Sequence, residues 1–289
     1  MKTFICLIFL IFCSLGTAQN FDYHPADWAL LQDVDFKFKD PIQQVESSTY
    51  LLKQDDSKGE LWQKDMLIFE NQKLHKWEQS DLQFGQNYTQ VYNYFETDHR
   101  LKSRLIYKDG NLLEEARYFY DEFHQDEITE IKVKENAIDI KDASPTEINI
   151  DIILDENGNR IRDAYYNSKG NLNNEIKVSY HEKDKVAARK RYDKAGNWLM
   201  TDSVVYNFYG KIKEISIYPN SESDKENIIF TIEYSYNKHG YIDSLNIENQ
   251  VISFEYELDE KGHWISRRSY ITHNNVRKPY QLIERKITY

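Results

Sequence analysis

Histidines and carboxylates are the first groups that could do chemistry, and the chain carries 8 His and 48 Asp plus Glu. The histidines fall at His24, His75, His99, His124, His181, His239, His263 and His273. None stands two or four residues from another, so no strand or helix presents two imidazoles to one metal ion. No metal or other cofactor is expected. Asp155-Glu156-Asn157-Gly158-Asn159 has the composition of a calcium loop. Counting from Asp155, however, Arg160 stands where an EF-hand needs Gly and Tyr166 where it needs Glu. The segment reads as a turn. Glu114, Glu115, Glu233, Glu255 and Glu257 are available for a glycosidase-type acid pair, and Glu255 and Glu257 share a strand face. Charged residues do the same on most solvated strands. No Gly-x-Ser-x-Gly elbow, phosphate loop or dinucleotide fingerprint occurs. A non-enzymatic protein is expected. Trp198, Trp264 and the 22 Tyr offer another chemistry, because exposed rings stack on sugars or grip peptides while buried rings fill a core. The core reading is preferred, and Trp198 and Trp264 stand as the candidate aromatic ligand surface.

The elements that would position these groups come from a repeat. An apolar residue (usually Tyr) is followed by Asp or Asn, two variable residues and Gly. The copies pair Asp155 with Gly158, Asn167 with Gly170, Asp193 with Gly196, Asn207 with Gly210, Asn237 with Gly240 and Asp259 with Gly262. Tyr107-Lys108-Asp109-Gly110 is a shortened copy. Asp or Asn opens such a turn by accepting from nearby amides, and Gly takes the positive φ that other residues resist. Two residues after Gly the chain is apolar again at Leu112, Leu172, Trp198, Ile212, Ile242 and Trp264, with Arg160 the exception.

Between turns the period is two. Ile228, Phe230, Ile232, Tyr234 and Tyr236 alternate with polar residues, as do Ile252, Phe254, Tyr256 and Leu258. Turn signals about every 10 to 16 residues imply about 15 to 18 short strands. The fold expected is all-β: an antiparallel meander of short hairpin repeats forming a long, twisted, curved open sheet or spiral. An open flat sheet of that count would be roughly 70 to 85 Å wide, hence the curvature. Pro25 to Asp33 reads as a short helix. The expected organisation is a signal peptide over 1–18, an N-terminal segment over 19–45 and a hairpin-repeat domain over 46–289.

Tyr192-Asp193-Lys194-Ala195-Gly196-Asn197-Trp198 resembles the YD repeat of the RHS class of bacterial proteins. It is most similar to exported members whose hairpins carry Tyr-Asp-x-x-Gly-Asn-Trp. Phe38 to Tyr50 and the closing Glu284 to Tyr289 are similar to the two ends of such chains. The resemblance covers residues 100 to 289 well and 34 to 99 weakly. It implies a small exported β-repeat protein. Large members wrap a toxic C-terminal domain, and this chain is expected to be too short to do so.

Address and charge narrow the partners. Lys2 precedes the apolar run Phe4 to Cys13, and small residues lead to Ala18, the pattern of a secretory signal. That run of about 10 residues is shorter than the roughly 20 a spanning helix needs. Both Cys lie inside it, so no disulfide is expected in the mature chain. Removing Lys2 takes the net charge from -11 to -12, which disfavours nucleic acid. The Arg189-Lys190-Arg191 run reads as a solvated strand. The functional expectation is a binding or structural surface for an envelope protein or glycan, located in the periplasm, at the cell surface or outside the cell. A hydrolase of envelope polymers and an outer-membrane barrel are the alternatives. A barrel needs one uncharged face. Glu115 with Arg117 and Glu114 with Ala116 place charge on both, so stable membrane insertion is not expected.

Overall fold

The computed structural model describes residues 41–96, 100–120, 128–135, 146–182, 185–219 and 228–289. The leader at 1–18 and the helix expected over Pro25 to Asp33 lie outside them. The described residues form strands β1 (Gln44–Leu52), β2 (Lys58–Glu70), β3 (Lys73–Asp81), β4 (Gln86–Tyr94), β5 (Leu101–Lys108) and β6 (Asn111–Tyr120). Next come β7 (Ile128–Glu135), β8 (Thr146–Leu154), β9 (Arg160–Asn167), β10 (Leu172–Glu182), β11 (Lys185–Asp193) and β12 (Trp198–Tyr206). The last six are β13 (Ile212–Pro219), β14 (Phe230–Tyr236), β15 (Ile242–Ile247), β16 (Gln250–Leu258), β17 (Trp264–His273) and β18 (Val276–Thr288). Each strand pairs antiparallel with the next in sequence, as at Leu67 with Trp77 and Ile252 with Ile271.

The expected open sheet is corrected at one ladder. β18 pairs with β1 in unbroken register from Gln44–Thr288 to Leu51–Gln281, so the described strands close into an 18-stranded barrel with no free edge among them. The physical reason lies beside the turns. In the Gly turns the register slips one pair in from the loop: Tyr206 opposes Ile212 while Val205 opposes Glu214. Tyr236 with Ile242 and Leu258 with Trp264 repeat the slip. Each slip is a β-bulge, and bulges add right-handed twist. Repeated from hairpin to hairpin, that twist coils the sheet until its first and last strands meet.

The bulge also explains the apolar beat two residues after Gly. That residue faces the last residue before the turn, and Ile212, Ile242 and Trp264 are buried there at 7%, 7% and 2% exposure. Arg160 holds the same place opposite Leu154 and is buried too, its guanidinium bonded to Asp163. The exception is therefore a substitution within the repeat.

Register defines two faces that persist around the ring. One carries Val45, Leu67, Ile106, Ala116, Tyr118, Ile131, Val133, Ile150, Ile152, Val178, Val204, Ile215, Leu245 and Ile252, all buried. The other carries Glu115, Arg117, Lys132, Lys134, Asp151, Lys177, Glu233, Glu255, Glu257 and Lys286, exposed or half-exposed. A convex surface splays side chains apart and a concave one gathers them, so the buried apolar set is the inner face.

Candidate functional site

The repeat turns place the residues singled out from sequence at the two rims of the barrel. In the turn 193–197, Asp193 Oδ1 accepts from the amides of Ala195 and Asn197, both at 2.8 Å. Gly196 takes φ 81°. Asp155 with Gly158, Asn167 with Gly170, Asn237 with Gly240 and Asp259 with Gly262 are built alike. The amides of Asn157 and Asn159 and Asn159 Nδ2 all bond the Asp155 carboxylate, so the segment 155–159 is a turn closed by Asp155. Among the described residues no group of three or more His, Cys, Asp or Glu gathers to hold a metal.

On the rim that also holds the C-terminus, successive turns are linked side by side. Lys211 Nζ donates to the carbonyl of Gly240 and lies over the Tyr236 ring at 4.8 Å. Tyr241, the residue after the next Gly, donates to the carbonyl of Gly262 at 2.8 Å. Tyr289 then bonds Asp259 and stacks on His263 at 5.8 Å. Below this rim tyrosines at or near the ends of even-numbered strands clasp the start of the preceding strand. Tyr94 donates to Leu74 O, Tyr120 to Leu101 O, Tyr180 to Arg160 O, Tyr236 to Ile212 O and Tyr256 to Ile242 O, all at 2.6 to 2.8 Å. Each bond covers a carbonyl beside a bulge, where the ladder is interrupted. In sequence, Tyr236 and Tyr256 read only as members of an apolar strand face. Their fixed place one bulge from the turn was the signal available.

The two candidate tryptophans differ. Trp264 is 2% exposed, with the Arg285 guanidinium 3.3 Å from its ring centroid and Tyr256 edge-on at 6.2 Å. A ligand cannot stack on it. Trp198 is half-buried, donates to Thr201 Oγ1 at 3.0 Å and carries Lys190 over its ring at 4.9 Å. The equivalent repeat positions do not bring the two rings together.

Four of the five carboxylates considered for catalysis are engaged, and Glu257 is exposed on the outer face. Glu114 is fully buried and holds Arg104 at 2.6 Å. Glu115 bonds Arg117, Glu233 accepts from Asn246, and Glu255 holds Arg277 and accepts from Tyr270. Glu114 stands opposite Glu135 on the inner face, and burial together with the Glu114 charge raises the Glu135 pKa.

The Arg189–Arg191 run is not a solvated strand throughout. Arg189 and Arg191 both turn inward onto Asp202, each at 2.9 Å, and Lys190 alone faces out. Burial holds the Arg189 pKa below its ordinary value, against the pull of Asp202.

A cleft of about 410 Å³ lies beside the β2–β3 turn, lined among others by Glu70, Lys73, His75, Tyr94 and Glu96. Burial pushes the Tyr94 hydroxyl up to about 12, so it is a neutral donor already used on Leu74 O. The cleft combines rings with polar side chains, His75 Nδ1 lying 3.8 Å from Glu70.

No protein-family model and no curated protein matches the chain. Among solved structures it is similar to a porin-like protein from Bacteroides uniformis, with 10% identity and a TM-score of 0.46 over 86% of this chain and 96% of that one. A chain of the TcdB2-TccC3-TEV structure gives 11% identity and a TM-score of 0.40 over 77% of this chain and 12% of that one. Neither likeness carries an argument about this chain.

Proposed function

We propose that the protein is a water-facing β-repeat barrel of the bacterial envelope that binds through its rims and outer face, with its inner face serving as a folded core. Strand number, closure and the absence of an edge fit an outer-membrane barrel at least as well as a free binding surface. The charge carried by the outward face supports the water-facing form. A spanning barrel turns an apolar band outward and a polar lining inward. Here the outward set includes Glu115 and Arg117 on β6, Lys132 and Lys134 on β7, Asp151 on β8, Lys177 on β10 and Glu255 and Glu257 on β16. Each charge placed against the middle of a lipid bilayer costs about 2 to 4 kcal/mol when it is Lys or Arg. The inner face mixes buried apolar residues such as Val45 and Ile150 with ion pairs that are closed on themselves, Arg104 on Glu114 and Arg189 on Asp202.

Purification of the mature chain without detergent tests this reading. A monodisperse, β-rich protein in plain buffer is the expected result. Aggregation that only detergent relieves, or channel conductance in planar bilayers, would overturn it in favour of the spanning barrel. Capture on envelope polysaccharide and protein panels, with zero turnover of either, is expected for a binding role, whereas hydrolysis would return the enzyme alternative.

A further inference from the structure

Six turns of one design act as an internal control on what a turn needs. Their two middle residues are Glu156-Asn157, Ser168-Lys169, Lys194-Ala195, Lys238-His239 and Glu260-Lys261 in five, and Phe208-Tyr209 in the sixth. The sixth keeps the same bonds, with Asn207 Oδ1 accepting from the Tyr209 and Lys211 amides at 2.9 and 3.0 Å and Gly210 at φ 74°. The two rings therefore add nothing to turn formation. Phe208 is 96% exposed and Tyr209 83%, and they meet each other edge-on at 5.7 Å. Their surroundings are basic. Lys185, paired with Glu182, lies against Gly210, while Lys211 follows in the turn, Lys213 is exposed in the adjoining bulge, and Lys238 and His239 form the next tip. The local sign is opposite to the molecule's net charge of -11. The other rim also exposes rings and aliphatics, Leu82 and Phe84, but beside Asp81, whose carboxylate accepts from the Gln83 and Phe84 amides.

Phe, Tyr and Lys at one protruding point are the residues that settle at a lipid headgroup layer, rings in the boundary and ammonium groups on the phosphates. We propose that the Phe208–Tyr209 tip is a peripheral anchor that docks the barrel onto a membrane surface bearing anionic lipid. This rests on the water-facing reading above. The test is flotation of the full mature chain with phosphatidylglycerol/phosphatidylcholine vesicles against pure phosphatidylcholine. Binding to the anionic vesicles is expected, with release at about 1 M salt, where screening acts within roughly 3 Å. Phe208→Ser with Tyr209→Ala uses residues found in the turns at 168 and 195, and should lower vesicle affinity about tenfold or more while circular dichroism is unchanged. Lys238→Glu should weaken binding independently, and Phe84→Ser on the other rim should not. Equal binding by wild type and the double variant, no binding to anionic vesicles, or tip-dependent capture of a soluble protein or glycan instead would each overturn the anchor. Vesicle association that resists salt and alkaline carbonate in both forms would instead sink the water-facing reading.

Discussion

Glu114 and Glu115 are neighbours on β6 and each holds an arginine, yet their surroundings are opposite. The Glu114–Arg104 pair faces inward with side chains 0% and 4% exposed. The Glu115–Arg117 pair faces outward at 26% and 64%. Water screens the outer pair, and losing it should matter little. The inner pair has given up hydration, so removing one partner strands a charge among Ile106, Ala116 and Val133. The lesson is that the barrel's electrostatics are set by the side of the sheet a residue occupies, which a one-residue step reverses.

The strongest test of that contrast is Asp202→Ala. It leaves Arg189 and Arg191 without their shared partner and should cost about 3 to 5 kcal/mol, read as a fall in the urea midpoint. Replacing Arg189 and Asp202 together by Met and Leu should recover most of the loss. Ile150→Ala, at a wholly buried inner position, should cost about 2 to 5 kcal/mol through cavity formation without any charge effect. Tyr236→Phe removes one clasp onto Ile212 O and should cost about 1 kcal/mol, with faster amide exchange beside that bulge. Glu115→Ala should leave the melting midpoint unchanged within error. A loss as large as that of Glu114→Ala would mean the two faces have been assigned backwards.

Acid should separate the regions further. Glu135 on the inner face has its pKa raised by burial and by Glu114, so the folded state holds its proton more tightly than the unfolded chain. Its effect on stability is therefore a loss as pH rises from about 4.5 through the folded pKa, and Glu135→Gln should flatten that slope. Asp193 in its turn has the opposite sign. Asn197 Nδ2 and the Asn197 and Ala195 amides lower its pKa, so its stabilisation is present above about 3.8 and disappears as pH falls through the folded value. Asp193→Asn, the residue already used at 167, 207 and 237, should remove that acid sensitivity. Melting curves between about pH 7 and pH 2.5 read both slopes.

What could be read from the sequence follows the range of the interactions. The turns were legible because Asp193 or Asn237 and the Gly three residues later meet within five residues, and no distant contact is needed to close them. Strand number and antiparallel order followed from the same local signals. Closure was not legible, because Val45 finds Ile287 and nothing local to either strand announces a partner so far along the chain. The inner ion pairs were hidden for another reason. Arg189 and Asp202 look like ordinary solvated strand charges until register places them opposite each other. Phe208 and Tyr209 were visible in the sequence but lost among 14 Phe and 22 Tyr, and only their exposure separates them from the rings that pack.

The β1–β18 ladder has a temporal consequence. Every other ladder joins sequence neighbours and can zip as soon as its hairpin has emerged, which favours rapid local assembly. The seam cannot form until the final residues arrive, so a chain delivered N-terminus first holds β1 unpaired on one side while the remaining strands accumulate. Throughout that interval the nascent ribbon has two open borders, each able to recruit a strand from another copy. On completion, Lys58 reaches Glu284, and Arg268 and Tyr270 reach Asp56, across the last-formed joint. Those contacts act as a latch on delivery order: shortening the tail by its last strand should convert a self-contained ring into an adhesive ribbon.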